Sequence, residues 1–415
     1  MKPAAGLPSL FLLLGSYLPL LWIVASALSR GRGFVFLAAG LLALAAALVA
    51  HARGRPSLLH RLYFLTLLAA VTVLGFEAVL HLAPGILSGP IANVAYTGYH
   101  WHNGGVYELD AHAGPLLRPD VHREMYWQGH WWHHDTNAAG YRGPAVPRAE
   151  AVFLGDSMIY GHGVENDQTV PAQFTRLSGR PAANLGQQGT SLLQSLMIFE
   201  RRGLGLRPRV VFVCSHPTDI EETTRCYDRR ELERFLAEPG YRPLVRDEWQ
   251  PRPAWDPVSL FARRLALPLR CSAVAGAFLR SARDGTLRLR RGGAGAAPGR
   301  FVPSEEAIHA PFGGALGGNP DESLAWRVQS QAVREIQRLC QGLGARLVLL
   351  DLGYPEAMSR ATEALAAELG VMYSPAGRTV LARALAGEEM YLADDGHWTP
   401  AGCRAIAGEL MAVQP

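Results

Sequence analysis

The sequence predicts an α/β protein: a five-stranded parallel sheet with helices on both faces, preceded by about three transmembrane helices. Two observations carry this prediction. Residues 1–83 are dominated by long apolar runs. Beyond Glu150, short β-branched runs alternate with helical stretches, the pattern of parallel strands joined by crossover helices. At 415 residues the chain also exceeds one ordinary small domain.

Residues 7–28 (LPSLFLLLGSYLPLLWIVASAL) and 34–50 (FVFLAAGLLALAAALVA) carry no charge, and each is long enough to cross a bilayer core. A third run, 62–82, carries Glu77 and His81 near its end and is read as a weaker third span. No small-residue cleavage site is followed by soluble sequence, so the first run reads as retained rather than as a cleaved signal peptide. A cytosolic N-terminus puts Lys2, Arg53, Arg55 and Arg61 inside, and only Arg30 and Arg32 outside. The expectation is therefore a multi-pass protein of the inner (cell) membrane, with its large C-terminal part facing the periplasm or exterior.

The formal charge is +4 and Lys2 is the only lysine. With no Lys/Arg cluster interleaved with aromatics, the sequence argues against a nucleic-acid partner. Five cysteines (Cys214, Cys226, Cys271, Cys340, Cys403) form no CxxC pair, leaving room for one or two disulfides outside the cytosol with no assignable pairing.

Residues 84–148 are rich in Trp, Tyr, His and Gly without helical periodicity, and read as short strands and loops leading into the main domain. Seven of the 14 histidines fall here: His100, His102, His112, His122, His130, His133 and His134. His133-His134-Asp135 or His100/His102 would be the metal-binding reading. An aromatic, polar surface beside a cleft is preferred, because no second ligand pair stands at a recognisable metal spacing.

The main domain spans 149–415. Strands are expected at Val152–Leu154, Ala182–Leu185, Val210–Cys214, Arg346–Leu350 and Val371–Tyr373. Helices are expected at Val170–Leu177, Ser191–Leu204, Leu324–Leu343, Met358–Leu369, Arg378–Leu385 and Thr399–Val413. The interval 221–321 breaks the rhythm, with an Arg-studded amphipathic segment from Ser259 and a Gly/Ala tract ending at Arg300. A connection this long is a functional insertion, such as a lid or membrane-surface helix, or a partly disordered one.

In such sheets a ligand site lies outside the carboxyl ends of the strands. Gly155-Asp156-Ser157 ends the first strand there, so Ser157 is either a nucleophile or one of two candidate helix N-caps. Gly189, in NLGQQGTS after the second strand, can offer its N–H to developing negative charge or serve a plain turn. Near the C-terminus, DDGHWTPAG sets Thr399 and Pro400 as N-cap and first residue of the last helix, with His397 on the preceding loop. A carboxylate just upstream, Asp394 or Asp395, can bond the imidazole Nδ1 and leave Nε2 as a base.

These blocks, FLGDSMIYGHGV, NLGQQGTS and DDGHWTPAG, resemble those of the SGNH/GDSL family of serine esterases and acyltransferases over residues 130–415. The segment DTNAAGYRGP looks like the approach to the nucleophile strand in membrane-associated members. The resemblance implies a three-layer α/β/α flavodoxin-like SGNH hydrolase fold, with Ser157 as nucleophile, His397 as base and Gly189 as oxyanion donor. A three-residue spacing before His selects Asp394 as the acid; a D-x-H-W-like spacing selects Asp395, which is preferred. One departure stands out. Where the family presents Asn-Asp after its third strand, this chain has Ser215-His216-Pro217-Thr218-Asp219, so Thr218 falls where the Asn donor is expected and His216 is a second candidate.

The resemblance implies an esterase removing acyl, above all acetyl, groups through an acyl-enzyme. The alternatives are O-acetyl transfer to an exported polysaccharide, and a glycan-binding or assembly protein that keeps the fold without efficient chemistry. An acylated small molecule or polysaccharide is the expected substrate, and polysaccharide export or synthesis machinery the candidate partner. The aromatic set Tyr96, Tyr99, Trp101, Trp127, Trp131 and Trp132 would pack on sugar rings or belong to the core. The mechanism calls for no cofactor or metal.

Overall fold

The computed structural model describes residues 106–127, 130–247, 301–310, 320–393 and 395–413. Apart from Val106, Tyr126 and Trp127, these belong to one compact unit. The three expected spans, Asp394, Cys271, the amphipathic segment from Ser259 and the Gly/Ala tract lie outside the described residues. Among the described residues no helix is long and apolar enough to cross a membrane.

Four short strands lead in: β1 (Tyr107–Asp110) and β2 (Gly114–Leu117), an antiparallel hairpin, then β3 (His122–Trp127) and β4 (His130–Asp135). The main sheet holds β5 (Ala151–Leu154), β6 (Ala182–Asn184), β7 (Val210–Cys214), β8 (Arg346–Leu350) and β9 (Met372–Ser374), in the order β6-β5-β7-β8-β9. All four pairings are parallel. The chain runs from β5 out to β6 and then crosses back to β7, so the topological switch lies at the carboxyl end of β5, where such sheets open a ligand crevice.

The helices are α1 (Ser157–Tyr160), α2 (Val170–Ser178), α3 (Leu192–Ile198), α4 (Asp219–Cys226), α5 (Arg229–Ala237), α6 (Glu305–Ile308), α7 (Pro320–Leu343), α8 (Glu356–Leu369), α9 (Ala376–Leu385) and α10 (Pro400–Leu410). Because strand side chains alternate between faces, the sheet supports two cores. Val152, Leu154, Val211, Val213, Leu347 and Leu349 pack with α3, α5, α7 and α8. Ala151, Phe153, Val210, Phe212, Val348 and Leu350 pack with α2, α9 and α10. In the second core Phe153 stacks on Phe212 at 4.6 Å between centroids and meets Phe174 edge-on at 5.4 Å. Burial on both faces explains why β5 and β7 read as unbroken apolar runs.

The expected elements are present, with three differences. The helix expected over Ser191–Leu204 stops at Ile198 and continues as a π turn, Phe199–Gly203, and a 3-10 turn, Leu204–Leu206. Gly203 packs directly on the Phe199 ring, where a Cβ would collide. Two helices, α4 and α5, open the interval that the sequence left without rhythm. They are hard to see because they are highly charged, and α5 buries only Leu232 and Phe235. Cys214, Cys340 and Cys403 are buried with free thiols, so none takes part in the disulfides left open above.

The approach segment is tied to the main sheet by Arg142, which forms a bridge with Asn184 of β6 and is 1 % exposed. Its guanidinium meets five acceptors: Asn166 Oδ1 (2.6 Å), the carbonyls of Tyr160 (3.0 Å) and Gly161 (2.6 Å), and those of His133 (2.9 Å) and Val164 (2.9 Å). A guanidinium has five N–H donors, so the group is saturated. Beside it lies His134, fully buried, with Nδ1 2.6 Å from the Tyr160 hydroxyl. Burial, reinforced by the Arg142 charge, pulls the His134 imidazole down to about 3, so it is neutral.

Replacing Arg142 with Leu orphans these buried acceptors, and Lys, a compact ammonium with three donors, cannot span them. Arg142→Leu should lower unfolding stability by about 3 kcal/mol or more, and Arg142→Lys by a large part of that. Urea unfolding of the purified protein measures both; a loss within about 0.5 kcal/mol for either would refute the role given to this side chain.

Candidate active site

The buried strand β5 ends at Gly155, whose φ of +147° and surroundings both demand glycine: a Cβ would stand 3.0 Å from the Cys214 carbonyl and 2.9 Å from Ile159 Cγ1. The chain turns there and enters α1. Asp156, not Ser157, is the N-cap, its Oδ1 accepting the Met158 N–H at 3.0 Å. Ser157 is therefore the first helical residue, and its hydroxyl is left for another partner.

That partner is His397. Its Nε2 lies 2.8 Å from Ser157 Oγ, across 240 residues of sequence, while its Nδ1 lies 2.5 Å from Asp395 Oδ1. The loop that delivers it is internally bonded: Leu392 N–H donates to the His397 carbonyl (2.8 Å), Asp395 N–H to the Leu392 carbonyl (3.1 Å), and His397 N–H to Asp395 Oδ1 (3.2 Å). Thr399 caps α10 by accepting the Gly402 N–H at 3.1 Å, with Pro400 following it. With Asp395 accepting at Nδ1, the imidazole carries its proton there and turns its Nε2 lone pair to the serine hydroxyl. Asp395 is buried and holds His397; its neighbour Asp394 lies outside the described residues.

The loop after β6 is fastened to the same turn. Gln187 N–H donates to the Gly155 carbonyl (3.0 Å), Thr190 Oγ1 to the Gln187 carbonyl (2.7 Å), and Ser191 with Gln194 forms a capping box at the start of α3. Gly189 stands exposed between them with φ +65°. The need for glycine here is conformational: a Cβ would meet only Arg225 at 3.5 Å and Glu222 at 3.8 Å, ordinary contacts. Among the described residues, neither the Ser157 nor the Gly189 amide donates to a protein acceptor.

After β7, His216 and Thr218 are bound to each other. The Thr218 amide faces His216 Nδ1 at 3.2 Å and the Thr218 hydroxyl lies 2.8 Å from the same atom, which also stands 3.4 Å from Asp156 Oδ2. Burial pulls the His216 imidazole down, against the opposing charge of Asp156, and His397 adds to the lowering. The ring is neutral. The Thr218 hydroxyl is exposed and has two acceptors in reach, this ring and the Glu222 carboxyl.

Three features escaped the sequence reading. His162, from the quoted FLGDSMIYGHGV block, stacks on His397 with centroids 4.3 Å apart and 23° between planes. On α4, Asp219 and Glu222 share one buried face, as an i, i+3 pair does. Burial pushes Glu222 up to about 8, and the Asp156 charge adds to this; burial also raises Asp219 well above the carboxylate range. Tyr354 is the third: burial, then the charges of Asp395 and Asp156, push its phenol up to about 12.

The triplet His133-His134-Asp135 does not converge. As successive strand residues point to opposite faces, His133 bonds Glu165 (3.2 Å), His134 bonds Tyr160 and Asp135 bonds His122 (2.9 Å). Among the described residues, His162, Asp395 and His397 bring ligand atoms within 4.8 Å of one another. The two stacked rings hold their nitrogen lone pairs in nearly parallel planes, and Asp395 already binds His397, which is a poor start for a tetrahedral metal. Trp132, one candidate sugar platform, is buried and donates to Tyr160 Oη at 3.3 Å, which makes it core.

No family model and no curated protein matches this chain. Solved structures that are similar to it include a putative lipolytic protein of the G-D-S-L family from Desulfitobacterium hafniense DCB-2, at 10 % identity over 64 % of this chain and 100 % of that one, TM-score 0.35. TesA is similar at 13 % identity over 63 % and 96 %, TM-score 0.33. A catalytic mutant of Axe2, an acetylxylan esterase from Geobacillus stearothermophilus, is similar at 10 % identity over 65 % and 95 %, TM-score 0.34.

Glu222 makes stability depend on pH. Its folded value of about 8 lies above the ordinary 4.5, so the folded state keeps a proton that the unfolded state releases, and stability falls as pH rises from 4.5 towards 8. Glu222→Gln should flatten this decline and leave the variant about 1 kcal/mol or more above the parent at the alkaline end. Urea unfolding over a pH series reads this directly; parallel curves for the two proteins would count against it.

Proposed function

We propose that the protein is a membrane-anchored, extracytoplasmic serine esterase that removes acyl groups, acetyl above all, through an acyl-enzyme. The observation that carries this is the unbroken chain Ser157 Oγ, His397 Nε2, His397 Nδ1, Asp395 Oδ1 at the switch point of the sheet. The anchor and its orientation rest on the apolar runs and basic loops of residues 1–83.

In this mechanism His397 Nε2 takes the Ser157 proton as Oγ attacks the ester carbonyl carbon, and the imidazolium is stabilised by Asp395. The tetrahedral oxyanion is received by the Ser157 and Gly189 amides. The side-chain donor comes from the Thr218–His216 pair, whose Oγ1 and Nδ1 lie 2.8 Å apart, and His216 Nε2–H is the member proposed for the role. Collapse breaks the ester C–O bond, and the leaving alkoxide takes the proton from His397 as it departs. Water then gives a proton to His397 and attacks the acyl-Ser157; collapse breaks the acyl C–Oγ bond, Ser157 Oγ takes the proton back from His397, and the carboxylic acid leaves. A sugar hydroxyl in place of water would give transfer to a polysaccharide through the same residues.

The full-length chain, purified in detergent, should be labelled at Ser157 by a fluorophosphonate and should hydrolyse a simple acetyl ester. Ser157→Ala should abolish labelling, and His397→Ala should lower turnover by on the order of a thousandfold or more. Absence of Ser157-dependent labelling together with absence of turnover would leave a binding protein on this fold. His216→Ala should cost on the order of a hundredfold in turnover and Thr218→Ala less than about tenfold; the reverse order would return the donor role to Thr218. Offering oligosaccharide acceptors and following acetyl release against transfer separates esterase from transferase.

A further inference from the structure

His162 takes no part in the steps above, yet it is 5 % exposed and lies against the histidine that performs them. Its ring stacks on His397 at 4.3 Å between centroids, an offset-stacking distance, and also touches Trp132 at 4.6 Å. Its protonation form follows from its neighbours. Tyr107 Oη donates to Gln188 Oε1 at 3.0 Å, and Gln188 Nε2 faces His162 Nδ1 at 2.5 Å. An amide N–H can only donate, so Nδ1 accepts and the ring proton sits on Nε2. A second proton on Nδ1 would set two donors face to face.

We infer that His162 is a positioning residue for His397: a neutral aromatic platform, locked in one tautomer by Tyr107 and Gln188, on which the His397 imidazolium forms. This rests on the reading of Ser157 and His397 as nucleophile and base. When His397 takes the serine proton it becomes a cation whose Nδ1 is held by Asp395 and whose flank lies on the π face of His162. A neutral ring there attracts the cation, excludes water from that flank and fixes the plane of the imidazole. A charged ring would repel it. The chain from β1 through Gln188 thus keeps the platform uncharged, which gives Tyr107 and Gln188 a role at a distance from the reacting atoms.

The test uses the full-length chain in detergent and a fluorophosphonate as probe, reading the maximal labelling rate of Ser157 and the half-saturating concentration separately. His162→Leu keeps apolar bulk without a π face and should lower the maximal rate about tenfold with half-saturation unchanged. His162→Phe restores a face and should recover most of that loss. Gln188→Glu replaces the donor at Nδ1 with an anionic acceptor, which moves the ring proton to Nδ1 or adds a second one; either change breaks the tautomer lock and should lower the maximal rate although the stack is intact. Thermal unfolding of the three variants checks that folding is preserved. Equal rates for the Phe and Leu variants, a loss expressed in half-saturation, or an unaltered Gln188→Glu variant would each overturn the inference while leaving the nucleophile assignment standing. If the parent shows no Ser157-dependent labelling, that assignment itself falls and the inference with it.

Discussion

The site depends first on one buried cation that touches none of the reacting atoms. A helix as short as α1 leaves its carbonyls unpaired almost at once, and buried carbonyls without donors are costly. Arg142 closes that account by donating to Tyr160 and Gly161 at the end of α1, to Val164 and Asn166 beyond it, and to His133 on β4. One side chain from the approach segment thereby fixes the far end of the helix whose first residue is Ser157. The near end is fixed by Asp156 as cap and by the tight turn at Gly155. Between these two clamps the serine has little freedom, so a hydrogen bond from a loop 240 residues away can be met without further ordering.

Much of this was legible in the sequence. Strands buried on both faces are unbroken apolar runs, and β5, β7 and β8 were found because of it. The Thr399-Pro400 start of α10 was legible because cap and first-turn residues are chosen by backbone geometry alone, without tertiary help. Placing Ser157, Gly189 and His397 at one sheet edge followed from the strand and helix order. The cap on α1 was ambiguous between adjacent residues, since Asp and Ser serve equally well, and only the direction of the two side chains separates them.

The rest was hidden for physical reasons. His162 could not be distinguished from any loop histidine, because its meaning comes from a stack on His397 and a bond from Gln188, both set by tertiary packing. Helices α4 and α5 were masked by their charge: their composition is strongly polar, and α5 buries only Leu232 and Phe235, one turn apart on a single face. In the histidine-rich run, adjacency in sequence does not make a ligand cluster, because strand alternation sends neighbours to Glu165 and Tyr160 on separate faces.

Several titratable groups in the crevice around Ser157 are held neutral. His134 and His216 are kept uncharged by burial, and His162 by the donor on its Nδ1. Burial and the Asp156 charge raise Glu222 to about 8, so that it holds its proton at neutral pH, and they also raise Asp219. This matters for any negative charge developing beside Gly189, since a Cβ on that residue would already lie 3.8 Å from Glu222 Oε1. An ionised Glu222 would face such a charge across a short, poorly solvated gap, and like charges at that range in a low-dielectric site repel strongly. The same burial that makes Glu222 a cost to the fold at alkaline pH therefore removes its opposition to an oxyanion at neutral pH.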